Sequence, residues 1–390
     1  MAHPTIQSLL KSMDWKSQTS VGAWSVLNAL EKCRTASLGW HLMQCDRQSC
    51  AQKSMIYHSC RNRHCPQCGS KRQQQWMEDR MQELLPCNYF HMVFTLPHEL
   101  NALCMANRTF FYDLMFRVSS NTVKAFCGTE DKKTPGIISV LHTWGQQLSF
   151  HPHIHMLVTG GGTDRAGGFY SLAKANGYYL FPVKAMRRMY RSMFLQELYH
   201  ALKEKQLLIP ESLQKMIYYL LSELKQKEWL VYAKRPFAGP EQVVAYLGRY
   251  THRVAISNQR LKKIDEQQVT FWYKDYADNS RKKLMTLSKA EFLRRFAQHI
   301  LPRGFMKIRS YGIFGNYRRK TRLAKIREQN CFATPKVEPT SLVRWVYQQL
   351  KIPMGICPCC KTGKLVIVDI VYKGKHEDAI SWMRSDKMMK

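Results

Sequence analysis

The sequence predicts an α+β fold: a central antiparallel sheet flanked by helices, preceded by a small cysteine-rich, ribbon-like unit. Three observations carry this expectation. "GIISVLHTW" (136–144) and "HPHIHMLVTGGG" (151–162) are β-rich runs joined by the short "GQQLSF", the layout of a hairpin. Stretches on either side have helical spacing, as in Leu213, Met216, Ile217, Leu220 and Leu221. Six cysteines crowd into residues 33–68, ahead of those elements.

In chain order, "KRQQQWMEDRMQELL" (71–85) reads as a charged amphipathic helix closed by Pro86. "YFHMVFTLP" (89–97) reads as a strand stopped by proline, and residues 98–127 look helical. After the hairpin, residues 184–206 and 211–228 are helical again. "GPEQVVAYLGRYTHRVA" (239–255) predicts a further helix, with Pro240 suited to its first turn. "QQVTFWYKDYADNSRKKLMTL" (267–287) alternates as a second hairpin would, and residues 307–328 are very basic and interleaved with aromatics. "CFATPKVEPTS" (331–341) predicts a boundary. The expected domains are therefore a cysteine-rich unit at 1–85, a main domain at 86–330 and a small cysteine-containing tail at 331–390.

The 390 residues carry 60 Lys and Arg against 28 Asp and Glu, a formal charge of +32. A strongly anionic partner would relieve that self-repulsion, with nucleic acid first and an anionic membrane surface second. The longest aliphatic runs, "HMVFTL" and "KLVIVDIV", fall far short of the about 20 apolar residues of a membrane span. The N-terminus lacks the charged-then-apolar layout of a signal peptide, so a cytoplasmic chain with reduced thiols is expected. Cysteine spacing then points to metal chemistry.

Cys65-Pro-Gln-Cys68-Gly has the form of a zinc knuckle: two thiolates three positions apart, and a glycine that lets backbone amides turn toward sulfur. Cys45 and Cys50, across the "AQKSMIYHS" strand, complete the expected Zn²⁺ set of Cys45, Cys50, Cys65 and Cys68. Cys60, His58 or His64 can replace a looser member of the first pair. The zinc role is structural, or it holds Arg61, Arg63, Lys71 and Arg72 against DNA. "CPCCKTGK" supplies Cys357 and Cys360 with Cys359 between them, which is half a site unless distant ligands join it.

Period 2 places His151, His153, His155 and Leu157 on one strand face, with Pro152, Ile154, Met156 and Val158 on the other. A symmetric hairpin sets His142 opposite His153, so that His142, His153 and His155 converge. Three imidazoles with open positions suit a divalent cation acting as a Lewis acid on a phosphate oxygen. The plainer alternative is a hydrogen-bonded histidine strand, since 14 histidines make a stray His-x-His ordinary. Downstream, Tyr246 and Tyr250 are four apart and share a helix face with Gln242, Arg249 and Arg253, while Val243, Val244, Leu247 and Val254 form the packing stripe. Two phenols beside guanidiniums read as nucleophiles next to phosphate-binding cations. The alternative is a pair of ordinary amphipathic tyrosines among 19.

"SCRNRHCPQC", "YFHMVFTLPHEL", "HPHIHMLVTGGG", "YLGRYTHRVAISN" and "LPRGFMKIRSYG" follow one another over roughly residues 35–325. In that order and spacing the chain resembles the two-tyrosine rolling-circle transposases of bacterial insertion sequences, the IS91 type of HUH endonuclease. The resemblance implies an HUH nuclease domain behind a zinc-ribbon-like domain. It implies Mg²⁺ or Mn²⁺ on His153 and His155, with His142 as a third ligand, and Tyr246 and Tyr250 as nucleophiles. A tyrosine would attack a DNA phosphate and leave a 5′-phosphotyrosine and a free 3′-hydroxyl. One departure from the family pattern is that four residues separate Cys45 from Cys50, where two are expected.

The implied partners are single-stranded insertion-sequence ends and target DNA, with host replication proteins as further candidates, in a bacterial cytoplasm at the nucleoid. Arg and aromatic residues suit a single-stranded substrate. "SYGIFGNYRRKTR" (310–322), with Arg318 and Arg319, is expected to line part of its channel, the alternative being a solvated basic face. A non-catalytic zinc-dependent DNA-binding protein is the competing class. A His-x-His hydrolase acting on a non-nucleic substrate is a third, disfavoured by the charge and the ribbon.

Overall fold

The computed structural model describes residues 3–50, 52–127, 133–172, 180–234, 248, 254–334 and 356–372. From the N-terminus run α1 (Ile6–Lys11), α2 (Val21–Glu31), β1 (Gly39–Cys45), β2 (Lys53–Tyr57) and α3 (Gly69–Met81). Next come β3 (Tyr89–Thr95), α4 (Asn101–Ala106), α5 (Arg108–Phe126), β4 (Thr134–Trp144), β5 (Phe150–Thr163) and β6 (Phe169–Ser171). They are followed by α6 (Val183–Lys203), α7 (Glu211–Gln214), α8 (Ile217–Gln226) and β7 (Val231–Ala233). Then come β8 (Leu261–Ile264), β9 (Gln268–Asp275), β10 (Arg281–Ser288), α9 (Lys289–Ala297), β11 (Ile308–Gly312), α10 (Arg319–Gln329) and β12 (Leu365–Tyr372). Among the described residues, no helix is long and apolar enough to cross a membrane.

These elements fall into two compact units. One is built from Gln73–Ala255 and Leu301–Val337, and its centre is a six-stranded antiparallel sheet ordered β11-β4-β5-β3-β7, with β6 added on β5. Alternation decides its two faces. Phe90, Met92 and Phe94 of β3, Ile137 and Leu141 of β4, and Ile154, Met156 and Val158 of β5 point into one core. The helices α5, α6 and α8 supply its other side, with Phe111, Phe116, Tyr190 and Phe194 fully buried. Ring packing is close, at 5.0 Å between the centroids of Phe94 and Tyr190 and 5.3 Å between Phe194 and Trp229. On the opposite face, Tyr89, Ile138 and Leu157 are covered by Leu84, Leu85, Ile313, Phe314, Leu323 and Ile326. Gly136 is required there, because a Cβ would lie 2.5 Å from the Phe314 ring. His91, His142, His153 and His155 share the rest of that face with Val93 and Val140.

The other unit gathers the described residues of Met1–Arg72, Ile256–Ile300 and Glu338–Lys390. It holds two three-stranded antiparallel sheets, β12-β1-β2 and β10-β9-β8, and the helices α1, α2 and α9. Thr5 and Ser8 form a capping box on α1. Ser288 caps α9 by accepting from the Glu291 N–H at 3.2 Å.

Two departures from the expected boundaries follow. The tail expected at 331–390 does not stand alone, because β12 pairs with β1 from Gly39↔Tyr372 to Cys45↔Leu365. With β2 on one edge of β1, the backbone groups on its other edge need a partner, and β12 supplies it. Residues 256–300 likewise group with the N-terminal unit, and not with the stretch expected at 86–330. The helical run expected at 98–127 breaks at Asn107, whose φ of −130° leaves the helical range. Most of the helix expected at 239–255 lies outside the described residues.

Candidate active site and metal centres

β4 and β5 pair so that His142 stands opposite His153, and the period of β5 brings His155 to the same face. Each of the three offers a ring nitrogen, and these nitrogens lie within 4.8 Å of one another. His142 and His155 are buried. The Trp144 ring stacks on His142 with centroids 4.5 Å apart, and Lys307 lies over that indole at 5.1 Å.

Hydrogen bonds set the tautomers. A carbonyl can only accept, so His153 Nδ1 carries the proton that it donates to His151 O at 2.7 Å. His153 Nε2 therefore presents a lone pair when the ring is neutral, and it faces His155 Nε2 at 3.1 Å. Two nitrogens held at about 2.1 Å from one cation at a right angle would be about 3.0 Å apart. The observed spacing fits that arrangement. On the other side of His155, its Nδ1 meets Nε2 of His91 at 3.0 Å. A cation at the Nε2 atoms selects the form in which His155 Nδ1–H donates to His91. Burial pushes His91 down to about 3 and His153 down to about 4, so both rings are neutral at neutral pH. Neutral imidazole is the form that ligates.

His151 contributes its backbone oxygen to this network, while its ring stands 5.1 Å from that of His153. His91 was not singled out in the sequence. Its signal lies in period 2, since it shares a face of β3 with Tyr89, two register positions from the Val93↔His155 pair.

Tyr246, Tyr250, Arg249 and Arg253 lie outside the described residues. Gly248, between the two tyrosines, is described. Its carbonyl accepts from Gln73 Nε2 of α3 at 2.7 Å, and a Cβ at Gly248 would overlap Met77 Sδ. A larger residue at 248 would have to displace the Met77 side chain.

The thiols form two groups, and neither is the expected set of Cys45, Cys50, Cys65 and Cys68. Cys65 and Cys68 join Cys33 and Cys60, while Cys45 and Cys50 join Cys357 and Cys360. Strand length is the reason. Cys45 and Cys50 flank the turn of the β1–β2 hairpin, whereas Cys60, Cys65 and Cys68 follow the far end of β2. Five residues of β2 span about 17 Å, too far for a single ion to bridge. Cys33, just after α2, reaches the far end. In the first group the Sγ atoms of Cys33 and Cys68, Cys33 and Cys65, and Cys60 and Cys68 lie 3.5, 3.6 and 3.7 Å apart. Four thiolates at about 2.3 Å from a tetrahedral zinc have edges of about 3.8 Å, so this donor set fits the ion. Hydrogen bonds from Cys33, Cys60 and Cys65 hold the Cys68 thiol well below its usual range. His58 and His64 belong to neither group; His58 Nδ1 instead meets Leu38 O at 3.0 Å.

Among the candidate DNA contacts, Arg61 and Arg63 are exposed in the loop between Cys60 and Cys65. Arg318 is exposed beside Tyr317, its guanidinium 5.2 Å from that ring. Arg319 turns inward, with its Nε 2.9 Å from Glu83 Oε1. Burial raises the Glu83 carboxyl, and Arg80 and Arg319 supply the opposing countercharge. Arg322 likewise closes a turn by donating to Gly312 O and Tyr317 O. These contacts leave Arg318 as the outward-facing member of the pair expected to line a channel.

Comparison with known proteins bears on both units. A family model described as "Putative transposase" matches residues 136–322, and one described as "Transposase zinc-binding domain" matches residues 5–96. A "Putative transposase y4qJ" of Sinorhizobium fredii is 41% identical over 356 residues, covering 88% of each chain. The "Transposase for insertion sequence element IS801" of Pseudomonas savastanoi pv. phaseolicola is 31% identical over 314 residues, 79% of this chain and 74% of that one. No solved structure matches.

Proposed function

The chain belongs to the IS91-type transposases, and on that premise we propose that it nicks and rejoins single-stranded DNA at insertion-sequence ends through a tyrosine-linked intermediate. The observation that carries this reading is the convergence of His142, His153 and His155 on one face of the central sheet. Bound there, Mg²⁺ or Mn²⁺ would withdraw charge from a scissile phosphate oxygen. The part-buried hydrogen-bond chain from His151 O through His153 holds the ligating nitrogen in place, and His91 orients His155 from behind.

In this reading a hydroxyl of Tyr246 or Tyr250 attacks phosphorus, the P–O3′ bond breaks, and the departing 3′-oxygen takes up a proton. The new ester keeps the phosphodiester energy, so that rejoining needs no nucleotide. A second tyrosine allows one end to be held while another strand is cut. Cys33, Cys60, Cys65 and Cys68 hold zinc and display Arg61 and Arg63, which with Arg249, Arg253 and Arg318 serve as phosphate contacts.

The test is a cleavage assay on a single-stranded end oligonucleotide with Mg²⁺ or Mn²⁺. A covalent protein–DNA adduct is expected, and it should vanish in Tyr246→Phe/Tyr250→Phe. An adduct that persists in that variant would refute the nucleophile assignment. Retained DNA binding with no cleavage by the unaltered chain would favour a non-catalytic zinc-dependent DNA-binding protein.

His91→Phe is expected to weaken Mn²⁺ binding by about 10–100-fold, because His155 Nδ1 loses its partner while the volume is kept. Calorimetric titration checks this, and His91→Gln should recover part of the loss. Equal affinities in all three proteins would reduce His91 to a packing residue.

A further inference from the structure

The zinc-binding match at residues 5–96 contains seven cysteines, six of them within residues 33–68, and one tetrahedral ion takes four. Cys33, Cys60, Cys65 and Cys68 supply those four by themselves. Cys45 and Cys50 sit at the other end of the hairpin, where they meet Cys357 and Cys360 from a segment beyond both family matches. We propose that Cys45, Cys50, Cys357 and Cys360 form a second structural zinc site, which fastens the β12 segment to the β1–β2 hairpin.

Spacing is the first support. Cys45 Sγ lies 3.7 Å from Cys360 Sγ, Cys50 Sγ lies 3.6 Å from Cys357 Sγ, and all four sulfurs fall within 4.8 Å. These distances match the about 3.8 Å edge of a tetrathiolate zinc. They are far from the about 2.05 Å of a disulfide, and all four thiols are free.

Local backbone design is the second. The Lys361 N–H donates to Cys357 O at 2.9 Å, with Lys361 at a φ of 58°, and the Gly363 N–H donates to Cys360 Sγ at 3.2 Å. The turn aims the Gly363 amide at sulfur, as the Asn62 N–H, 3.5 Å from Cys60 Sγ, does in the first thiol group. A Cβ at Gly363 would overlap Cys45 Sγ, so a glycine is needed for the approach. The two halves are zipped together as well: Asp46 N–H donates to Lys364 O at 2.9 Å, and Lys364 N–H donates to Asp46 Oδ1 at 2.8 Å.

Energetics is the third. Cys45, Cys50 and Cys357 are buried, yet among the described residues the apolar side chain packed against this group is Leu365. So little apolar surface gives a weak hydrophobic reason for burying four thiols, whereas metal binding is itself folding free energy. On loading, four S–H protons leave and the site gains a net negative charge, with Arg47, Lys361 and Lys364 in the same loops to offset it. Cys359 is exposed and outside the group, which makes it an internal control.

The test is the zinc content of the purified full-length chain. Two zinc ions per chain are expected, one in Cys357→Ser/Cys360→Ser, and two in Cys359→Ser. Amide exchange of β1 should rise in the double variant while that of β4 and β5 stays unchanged. One ion in the unaltered chain, or two in the double variant, would overturn the proposal. Should the double variant fail to accumulate, the count in the unaltered chain decides by itself. The count does not depend on strand cleavage, so either result can fail and leave the other standing.

Discussion

His153→Ala/His155→Ala is expected to lower strand cleavage by at least about 10³-fold while DNA binding stays within a few-fold of the unaltered chain. Lewis-acid stabilisation of a phosphoryl transition state is worth several kcal/mol, and about 4 kcal/mol corresponds to a factor of 10³. The double substitution is the informative one, since either single change leaves two imidazoles of the three. DNA affinity should survive because a chain of charge +32 offers many other cationic side chains for phosphate contacts. His151→Ala provides the contrast. The contact that holds His153 is the backbone oxygen of residue 151, which alanine keeps, so cleavage should remain within roughly tenfold, about 1.4 kcal/mol. Cleavage unchanged in the double variant would sink the metal assignment. Cleavage lost in His151→Ala as severely as in the double variant would show that the ring of His151 also ligates.

The histidine trio was legible because it rests on two local rules, the period of a strand and the symmetry of a short hairpin. Both hold from Ile137↔Val158 to His142↔His153, where β4 and β5 keep one register between irregularities at Pro135/Ile137 and His142/Trp144. His91 was one step less accessible. Finding it required knowing that β3 lies next to β5, and strand order is a tertiary fact. The cysteines fail differently. Counting Cys-x-x-Cys pairs along the chain suggests that near pairs share an ion, yet β2 lies between them and is longer than any zinc site. The true partners are Cys33, which sits outside any paired motif, and Cys357 with Cys360, more than 300 residues away. A ruler of 3.3 Å per strand residue would have rejected the expected set without naming its replacements. Arg319 shows a similar limit, because a basic run cannot reveal which guanidinium is needed by a half-buried Glu83.

Cys65→Ser/Cys68→Ser is expected to unfold the region of residues 33–68 and leave the six-stranded sheet folded. Structural zinc binding is worth about 10–16 kcal/mol in small zinc modules, which equals or exceeds the whole stability of about 5–15 kcal/mol of an ordinary domain. The first thiol group ties together the end of α2, the end of β2 and the start of α3, segments whose junction is held by cysteines. Within the central sheet the situation is reversed. Phe94, Phe111, Phe194 and Trp229 are buried in an apolar core that needs no metal. Hydrogen exchange should therefore separate the two. Amides of β1 and β2 lose protection in the variant, and the same loss follows when a strong chelator strips the unaltered chain. Amides of β3, β4 and β5 keep theirs in both cases. Zinc content should fall by one ion per chain in the variant. If instead β1 and β2 stay protected with that ion gone, their stability comes from side-chain packing and the strand pairing with β12, and the thiol group is a bystander to folding.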